Sequence, residues 1–342
     1  MNGRTRAKRE TKTMTIHFKR MGVRPLAALL LAGSVLSAPL PVAAQDSDTL
    51  VIGRSMDVNS LDPARAFCDT CQFYLTAVYE TLITLGEDNK SLVPNLAESW
   101  EVNDDFTEFT FHLKDATFAD GSPVEASDVV WSFERLKNLK ASPSFLMEGL
   151  VSAEAIDPRT IKITVEAPNS EFLNKVSAPY TGIVNAEVAK AAGAIGDETA
   201  AEADKAEPWF MANSAGSGPF ALAGYSPEAE LRLARNDDYW GEAPAFSEIV
   251  VTQIQDAVSQ AQALETGQVD VAMQIDPDTA KSIRSSDVVT EVVPSYNFVY
   301  IGFIPGAKGM ADVLTPYVLE SVSLAISYAV MLVCTVALHR KN

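Results

Sequence analysis

Glu108-Phe109-Thr110-Phe111-His112-Leu113, Ala119-Asp120-Gly121-Ser122 and Ser127-Asp128-Val129-Val130-Trp131-Ser132-Phe133 follow one another closely in the chain. In the first run, apolar and polar residues alternate with the period of two that turns one face of a strand to a core. The second run carries the Asp-Gly chemistry of a turn. In the third, Ser127 reads as the N-cap of a helix. Strand, turn and helix succeed each other quickly.

Outward from this segment the same grammar continues. Upstream, Thr49-Leu50-Val51-Ile52-Gly53 is a β-rich run, and Asn59-Ser60-Leu61-Asp62-Pro63 collects turn formers. Phe73, Ala77, Val78, Leu82 and Leu85 recur at helical spacing, which predicts a helix over 73–85 with one face in a core and its loop-side end free to face a ligand. Downstream, Thr160-Ile161-Lys162-Ile163-Thr164-Val165 alternates again and ends at Ala167-Pro168-Asn169. Residues 186–207, rich in Ala, Glu, Asp and Lys without an apolar stripe, read as a solvated helix or loop between larger units. Gly216-Ser217-Gly218-Pro219-Phe220 permits backbone geometry that other residues resist. After it, Glu230-Leu231-Arg232-Leu233-Ala234-Arg235 and Glu248-Ile249-Val250-Val251-Thr252-Gln253-Ile254 return to β structure.

With 342 residues, 47% of them apolar, the chain is long enough for real cores over most of its length. Its net charge of −18 argues against nucleic acid as a partner. The basic residues Arg4, Arg6, Lys8, Arg9, Lys12, Lys19, Arg20 and Arg24 precede an apolar run, Leu26 to Leu36, and the small residues Val42-Ala43-Ala44. That order is an export signal over residues 1–44, and cleavage leaves Gln45 first. The apolar run is short for a membrane span. Met14 and Met21 are alternative starts to Met1, and no Cys follows the cleavage site to carry a lipid.

Cys68-Asp69-Thr70-Cys71 is a C-x-x-C pair, with Cys334 far away. In an oxidising compartment the pair reads as a structural disulfide. Two free thiols are one alternative, and redox or zinc chemistry another, although neither a second C-x-x-C nor a His pair accompanies it. Three histidines (His17, His112, His339) and no nucleophile-elbow, zincin or phosphate-loop motif leave no catalytic residue to assign. His112 reads as an exposed strand residue. Acidic pairs abound among 45 Asp and Glu, so they give a glycosidase-like site no specific support.

Four stretches together resemble the periplasmic oligopeptide-, dipeptide- and nickel-binding proteins (family 5) that serve ABC importers. They are Ser60-Leu61-Asp62-Pro63-Ala64 with Val78-Tyr79-Glu80-Thr81-Leu82; Leu96-Ala97-Glu98-Ser99-Trp100 through Phe118-Ala119-Asp120-Gly121-Ser122-Pro123-Val124 to Trp131-Ser132; Gly216 to Phe220 with Arg235-Asn236-Asp237-Asp238-Tyr239-Trp240-Gly241; and Ala263-Leu264-Glu265-Thr266-Gly267-Gln268-Val269-Asp270. The resemblance covers about residues 49–312. It implies an α/β, periplasmic-binding-protein-like two-lobe fold with an extra domain inserted in the first lobe. The first lobe would be 45–72 and 185–297, the inserted domain 73–184, and 298–342 the start of a second lobe that is otherwise mostly absent. The family pattern decays there: Leu319 stands where the resemblance leads one to expect Arg, and Ser327 where it leads one to expect Asp. Beyond, Val322 to Leu338 is an uncharged run of 17 residues. It is a family helix extended by drifted or out-of-frame sequence, a membrane anchor in contact with lipid, or a core helix.

The function this implies is extracytoplasmic binding of peptides or similar small solutes for delivery to ABC transporter permease subunits, in the periplasm, without cofactor or metal. Such a protein needs a concave wall of aromatic and polar residues rather than catalytic groups. Phe67, Gln72 and Tyr74 fall where the first-lobe loop meets its helix, Ser217 lies in the glycine-rich turn, and Tyr296 and Asn297 lie near the expected crossing between lobes. Phe73, at the same junction, reads as a core face or a ligand contact; Trp100, Trp131 and Trp240 read as core, Met273 and Met310 as filler. One lobe supplies only part of a solute's contacts, so the chain is expected to be impaired by truncation, binding peptides weakly or not at all. A non-functional remnant or membrane-tethered fragment, and an exported hydrolase, are the other classes.

Overall fold

The computed structural model describes residues 48–293 and 335–340, with the backbone alone for residues 292–293 and 335–340. All of them belong to the unit Gln45–Asn342. Strand β1 (Thr49–Arg54) opens it, and a turn held by Asp62, whose Oδ1 accepts from the Ala64 N–H at 3.0 Å, leads into helix α1 (Asp69–Val78). The helix expected over 73–85 is thus displaced. It starts at Cys68 as N-cap and stops where Tyr79 turns extended at φ −120°. Ile83–Leu85 is instead strand β2, paired with β3 (Leu92–Pro94). Thr81, Ile83 and Thr84 are β-branched, and the Val78 carbonyl accepts at 3.0 Å from the Gly218 N–H, a tie that fixes the chain where the helix ends.

Strands β4 (Ala97–Val102) and β5 (Glu108–Leu113) are antiparallel. In β5 Phe109, Phe111 and Leu113 are buried, alternating with half-buried partners, His112 among them. Burying each of the two Phe rings is worth roughly 1.5–3 kcal/mol, enough to fix the register. Helix α2 (Ala126–Asn138) begins one step before Ser127. The Glu125 N–H donates to the Asp128 carboxylate at 3.0 Å, so Asp128 reaches back to close the first turn and Ser127 is an ordinary helix residue. Strands β6 (Leu150–Asp157) and β7 (Thr160–Val165) complete a four-stranded antiparallel sheet in the order β4-β5-β7-β6, and α2 packs on β6 and β7.

Short helices α3 (Phe172–Val176), α4 (Ala186–Ala191), α5 (Ala200–Ala203) and α6 (Glu207–Phe210) follow. Residues 186–207 are not the solvated connector expected. Ala186, Ala189, Ala194, Ala200 and Ala206 are buried, small enough to let these segments lie close against the core. The Asp204 carboxylate, fully shielded, accepts from Arg135 Nε at 2.9 Å. Arg135, on α2, is 1% exposed and also grips Asp62 with both terminal nitrogens, at 2.7 and 2.5 Å. Arg65 joins Asp204 at 3.1 Å and Glu207 at 3.2 Å. A planar fork between two carboxylates is the geometry in which a buried charge is tolerated.

Strands β8 (Phe220–Ser226), β9 (Glu230–Arg235) and β10 (Glu248–Gln253) lead to helix α7 (Ala257–Thr266), strand β11 (Val271–Ile275), helix α8 (Pro277–Ser282) and strands β12 (Val288–Val293) and β13 (Thr335–Arg340). They form a sheet in the order β12-β13-β11-β1-β10-β9-β8, with β1 parallel to both neighbours and the other pairs antiparallel. Helix α7 is capped by Asp256, which accepts from the Ser259 N–H at 2.8 Å, and stopped by Gly267 at φ 75°. Its Ala261 and Leu264 cluster with Val269 and Ala272 on one face of the sheet. Ile52, Leu231, Leu233 and Val251 join the larger core with α1. Thr335–Leu338, the last part of the apolar run read from Val322 to Leu338, is strand rather than helix. The rest of that run lies outside the described residues. Among the described residues no helix is long and apolar enough to cross a membrane.

Candidate functional site

Helix α1 presents its first turn at the surface. Asp57 secures it from outside, accepting from the Thr70 N–H at 2.8 Å, the Thr70 hydroxyl at 2.6 Å and the Asp69 N–H at 3.0 Å. Burial alone would raise the Asp57 carboxyl, but these donors hold it below its ordinary value. Cys68 and Cys71, 5.0 Å apart at Cα, are joined as a disulfide across the same turn.

Beside it stands a ledge of aromatic rings. Phe67, 47% exposed, packs on Tyr180 with centroids 5.0 Å apart and meets the edge of Phe145 at 5.7 Å. Phe145 is also exposed, whereas Tyr180 is buried with its hydroxyl donating to the Cys68 carbonyl at 3.3 Å. Burial and the nearby Asp69 push the Tyr180 phenol up to about 12, so it stays a neutral donor at physiological pH. Gln72 is half-buried next to that hydroxyl. Two exposed large rings over a fixed helix turn form a surface that can stack on an apolar or planar part of a small molecule.

Of the candidate residues, Phe67 and Gln72 come together here. Tyr74 and Ser217 do not, because both are inside the core. The helical period runs through Thr70, Cys71, Tyr74, Leu75 and Val78, all buried, so reading the helix from Phe73 instead of Asp69 loses its phase. Burial with Tyr79 alongside pushes the Tyr74 phenol well above its ordinary value. Ser217 donates at 2.8 Å to Glu80, which also accepts from Trp240 Nε1 at 2.7 Å and the Tyr239 hydroxyl at 2.9 Å. The glycines around Ser217 serve close approach: a Cβ on either Gly216 or Gly218 would collide with the Val78 carbonyl group. Trp240 is therefore a polar tie as well as packing. Tyr296 and Asn297 lie outside the described residues.

Phe145 and Tyr180 escaped the sequence reading, since each lies in a short 3-10 helix far from Phe67 in the chain, with no local pattern to flag it. Arg54, at the carboxyl end of β1, also escaped, because its lack of a side-chain partner among the described residues is a product of packing that no local pattern marks. Among the described residues no group of three or more His, Cys, Asp and Glu side chains is placed to hold a metal.

Comparison with known proteins places this geometry. Residues 91–330 match the family model described as bacterial extracellular solute-binding proteins, family 5 Middle. The probable D,D-dipeptide-binding periplasmic protein DdpA of Escherichia coli (strain K12) is 33% identical over 282 residues, which are 81% of this chain and 52% of that protein. Among solved structures, the PBP AgaA in complex with agropinic acid from A. tumefacien R10 superposes with a TM-score of 0.61 at 27% identity, covering 71% of this chain and 47% of that one. DppA from Helicobacter pylori in complex with peptide STSA gives a TM-score of 0.61 at 25% identity, covering 71% of this chain and 50% of that one. The chain spans about half the length of the curated relatives it matches. Its α/β fold is that of part of a periplasmic binding protein, and the chain belongs to the bacterial extracellular solute-binding proteins of family 5.

Proposed function

We propose that this protein is exported, is released at Gln45, and binds peptides or similar small solutes for delivery to the permease subunits of an ABC importer. The observation that carries the solute-binding step is the ledge of Phe67, Tyr180 and Phe145 over the disulfide-closed first turn of α1. Relatives named as dipeptide-binding proteins support the solute class, and the one named as a D,D-dipeptide-binding periplasmic protein supports the compartment. In this reading β1 and β8 to β12 of the seven-stranded sheet belong to the first lobe (45–72 and 185–297), joined by β13 from the segment 298–342, and the four-stranded sheet lies in the inserted domain (73–184). Phe67 and Gln72 contact the solute. Tyr74 and Ser217 support that wall from behind.

An open ledge touches one side of a solute and leaves the other wet, so affinity is expected in the millimolar range. Calorimetric titration of the full chain with di- and tripeptides tests this. Binding should weaken about tenfold in Phe67→Ala, the loss of one stacked ring, with only a small fall in thermal stability, since Phe67 is half exposed but also packs on Tyr180 and Phe145. Equal binding by wild type and Phe67→Ala would remove the ledge from the site. Intact-mass analysis of secreted protein tests export, with Gln45 as the expected first residue.

A further inference from the structure

Two arginines are buried among the described residues, Arg135 and Arg54, and only the first is paired. Resting on the solute-binding reading above, we propose that the Arg54 guanidinium anchors a carboxylate of the bound solute.

Arg54 is the last residue of β1, the strand that lies between its parallel neighbours β10 and β11. In open α/β sheets the crevice beyond the carboxyl ends of parallel strands is where ligands sit. Alternation along β1 puts Arg54 on the face of Leu50 and Ile52, the face that joins the core with α1, so it emerges near the first turn of that helix. The loop leaving β1 is fixed by side chains of the flanking strands. The Ser55 N–H donates to Gln274 Oε1 at 2.7 Å and the Met56 N–H to Gln253 Oε1 at 2.6 Å.

Among the described residues the guanidinium has no side-chain partner, by hydrogen bond or ion pair, and its Nε is buried without an acceptor. Arg54 is 5% exposed. Asp57 and Asp69 are near enough to be felt, yet neither pairs with it, and Asp57 is committed to the backbone and hydroxyl donors of α1. Burial lowers the Arg54 pKa despite both acids. A guanidinium with its Nε shielded and unpaired, and with no side-chain partner among the described residues for its terminal nitrogens, matches a carboxylate in two parallel hydrogen bonds. The two exposed acids beside it disfavour a multiply charged anion, so a single carboxylate fits best.

The test uses the full chain, with dialanine and dialanine amide as probes and Arg54→Met as the variant. Dialanine should bind wild type at least about tenfold more tightly than its amide, and this preference should vanish in Arg54→Met. The variant should melt no lower than wild type, since no protein partner loses its counter-charge. A preference that survives in Arg54→Met, or acid and amide binding alike to wild type, overturns the anchor while the solute-binding reading stands. A melting temperature lowered by more than about 4 °C, roughly the effect of losing one good interaction, shows the guanidinium held by the protein and also overturns it. No binding of either probe sinks the solute-binding reading and the anchor together.

Discussion

The two buried arginines stand in opposite situations. Around Arg135, carboxylates from the turn after β1 and from the segment before α6 converge, so every strong donor of the fork has an acceptor within the protein. Around Arg54, at the edge where β1, β10 and β11 end, Gln253, Gln274 and Asp57 are engaged by other donors, and Asp69 makes no pair with it. Equal burial therefore carries two meanings. A charge satisfied inside the protein fixes how elements pack, and in the proposal above one without a side-chain partner at the ends of parallel strands takes a ligand.

Replacing Arg135 by Met breaks this comparison if it fails, and carries the largest expected effect. Asp62 and Asp204 would lose their shared buried fork and keep only Arg65, at 3.5 and 3.1 Å, and urea unfolding should show a loss of about 3–5 kcal/mol. Arg54→Met strands nothing, and its unfolding midpoint should match wild type. Equal losses in both variants would mean that Arg54 is as structural as Arg135.

Glu80 sharpens the contrast with a third kind of buried charge, a carboxylate satisfied by neutral donors alone. Glu80→Gln must keep its oxygen on Trp240, which can only donate, and forces the hydroxyls of Ser217 or Tyr239 to turn. A loss of about 1–2 kcal/mol is expected. Burial raises the Glu80 carboxyl above its ordinary 4.5, opposed by Trp240, Ser217 and Tyr239. Its contribution to stability is complete below 4.5 and declines as pH rises through the raised folded value, and this decline should be absent in Glu80→Gln. Asp204 runs the other way. Burial would raise it, but Arg135 holds it below 3.8, so its contribution is present above 3.8 and lost as pH falls through the depressed folded value. Urea titrations across the acid range separate the two slopes.

Another small effect concerns the first turn of α1. Cys68→Ser with Cys71→Ser opens a loop of only four residues, and the loss should stay within about 1–2 kcal/mol. Peptide mapping of oxidised protein should find both thiols closed to alkylation until reduction. Ready alkylation would replace the disulfide at the ledge by two thiols.

Strands were the most legible elements. In β5 and β7 the apolar residues alternate without interruption, and the expected bounds Glu108–Leu113 and Thr160–Val165 are the observed ones. Helix starts were read less well. Ser127 and Phe73 each look like the beginning of something, but a cap depends on which backbone donor is reached, and Glu125 with Asp128 and Cys68 with Asp57 take those roles. At the site, Phe67 and Gln72 were visible because the loop-to-helix junction is local. Tyr180 and Phe145 were not, being brought to Phe67 only when distant segments fold together.

The sequence by itself determined the alternating strands, the Asp-Gly and glycine-rich turns, the acidic balance and the family, because periodicity and short motifs act within a few residues along the chain. Tertiary structure alone decided which charged and polar residues are structural and which remain free. Arg135 meets Asp62 across 73 positions and Trp240 meets Glu80 across 160, while Arg54 meets no side-chain partner among the described residues. Nothing local in the chain encodes that difference, since it depends on which acceptors long-range packing delivers to each buried donor.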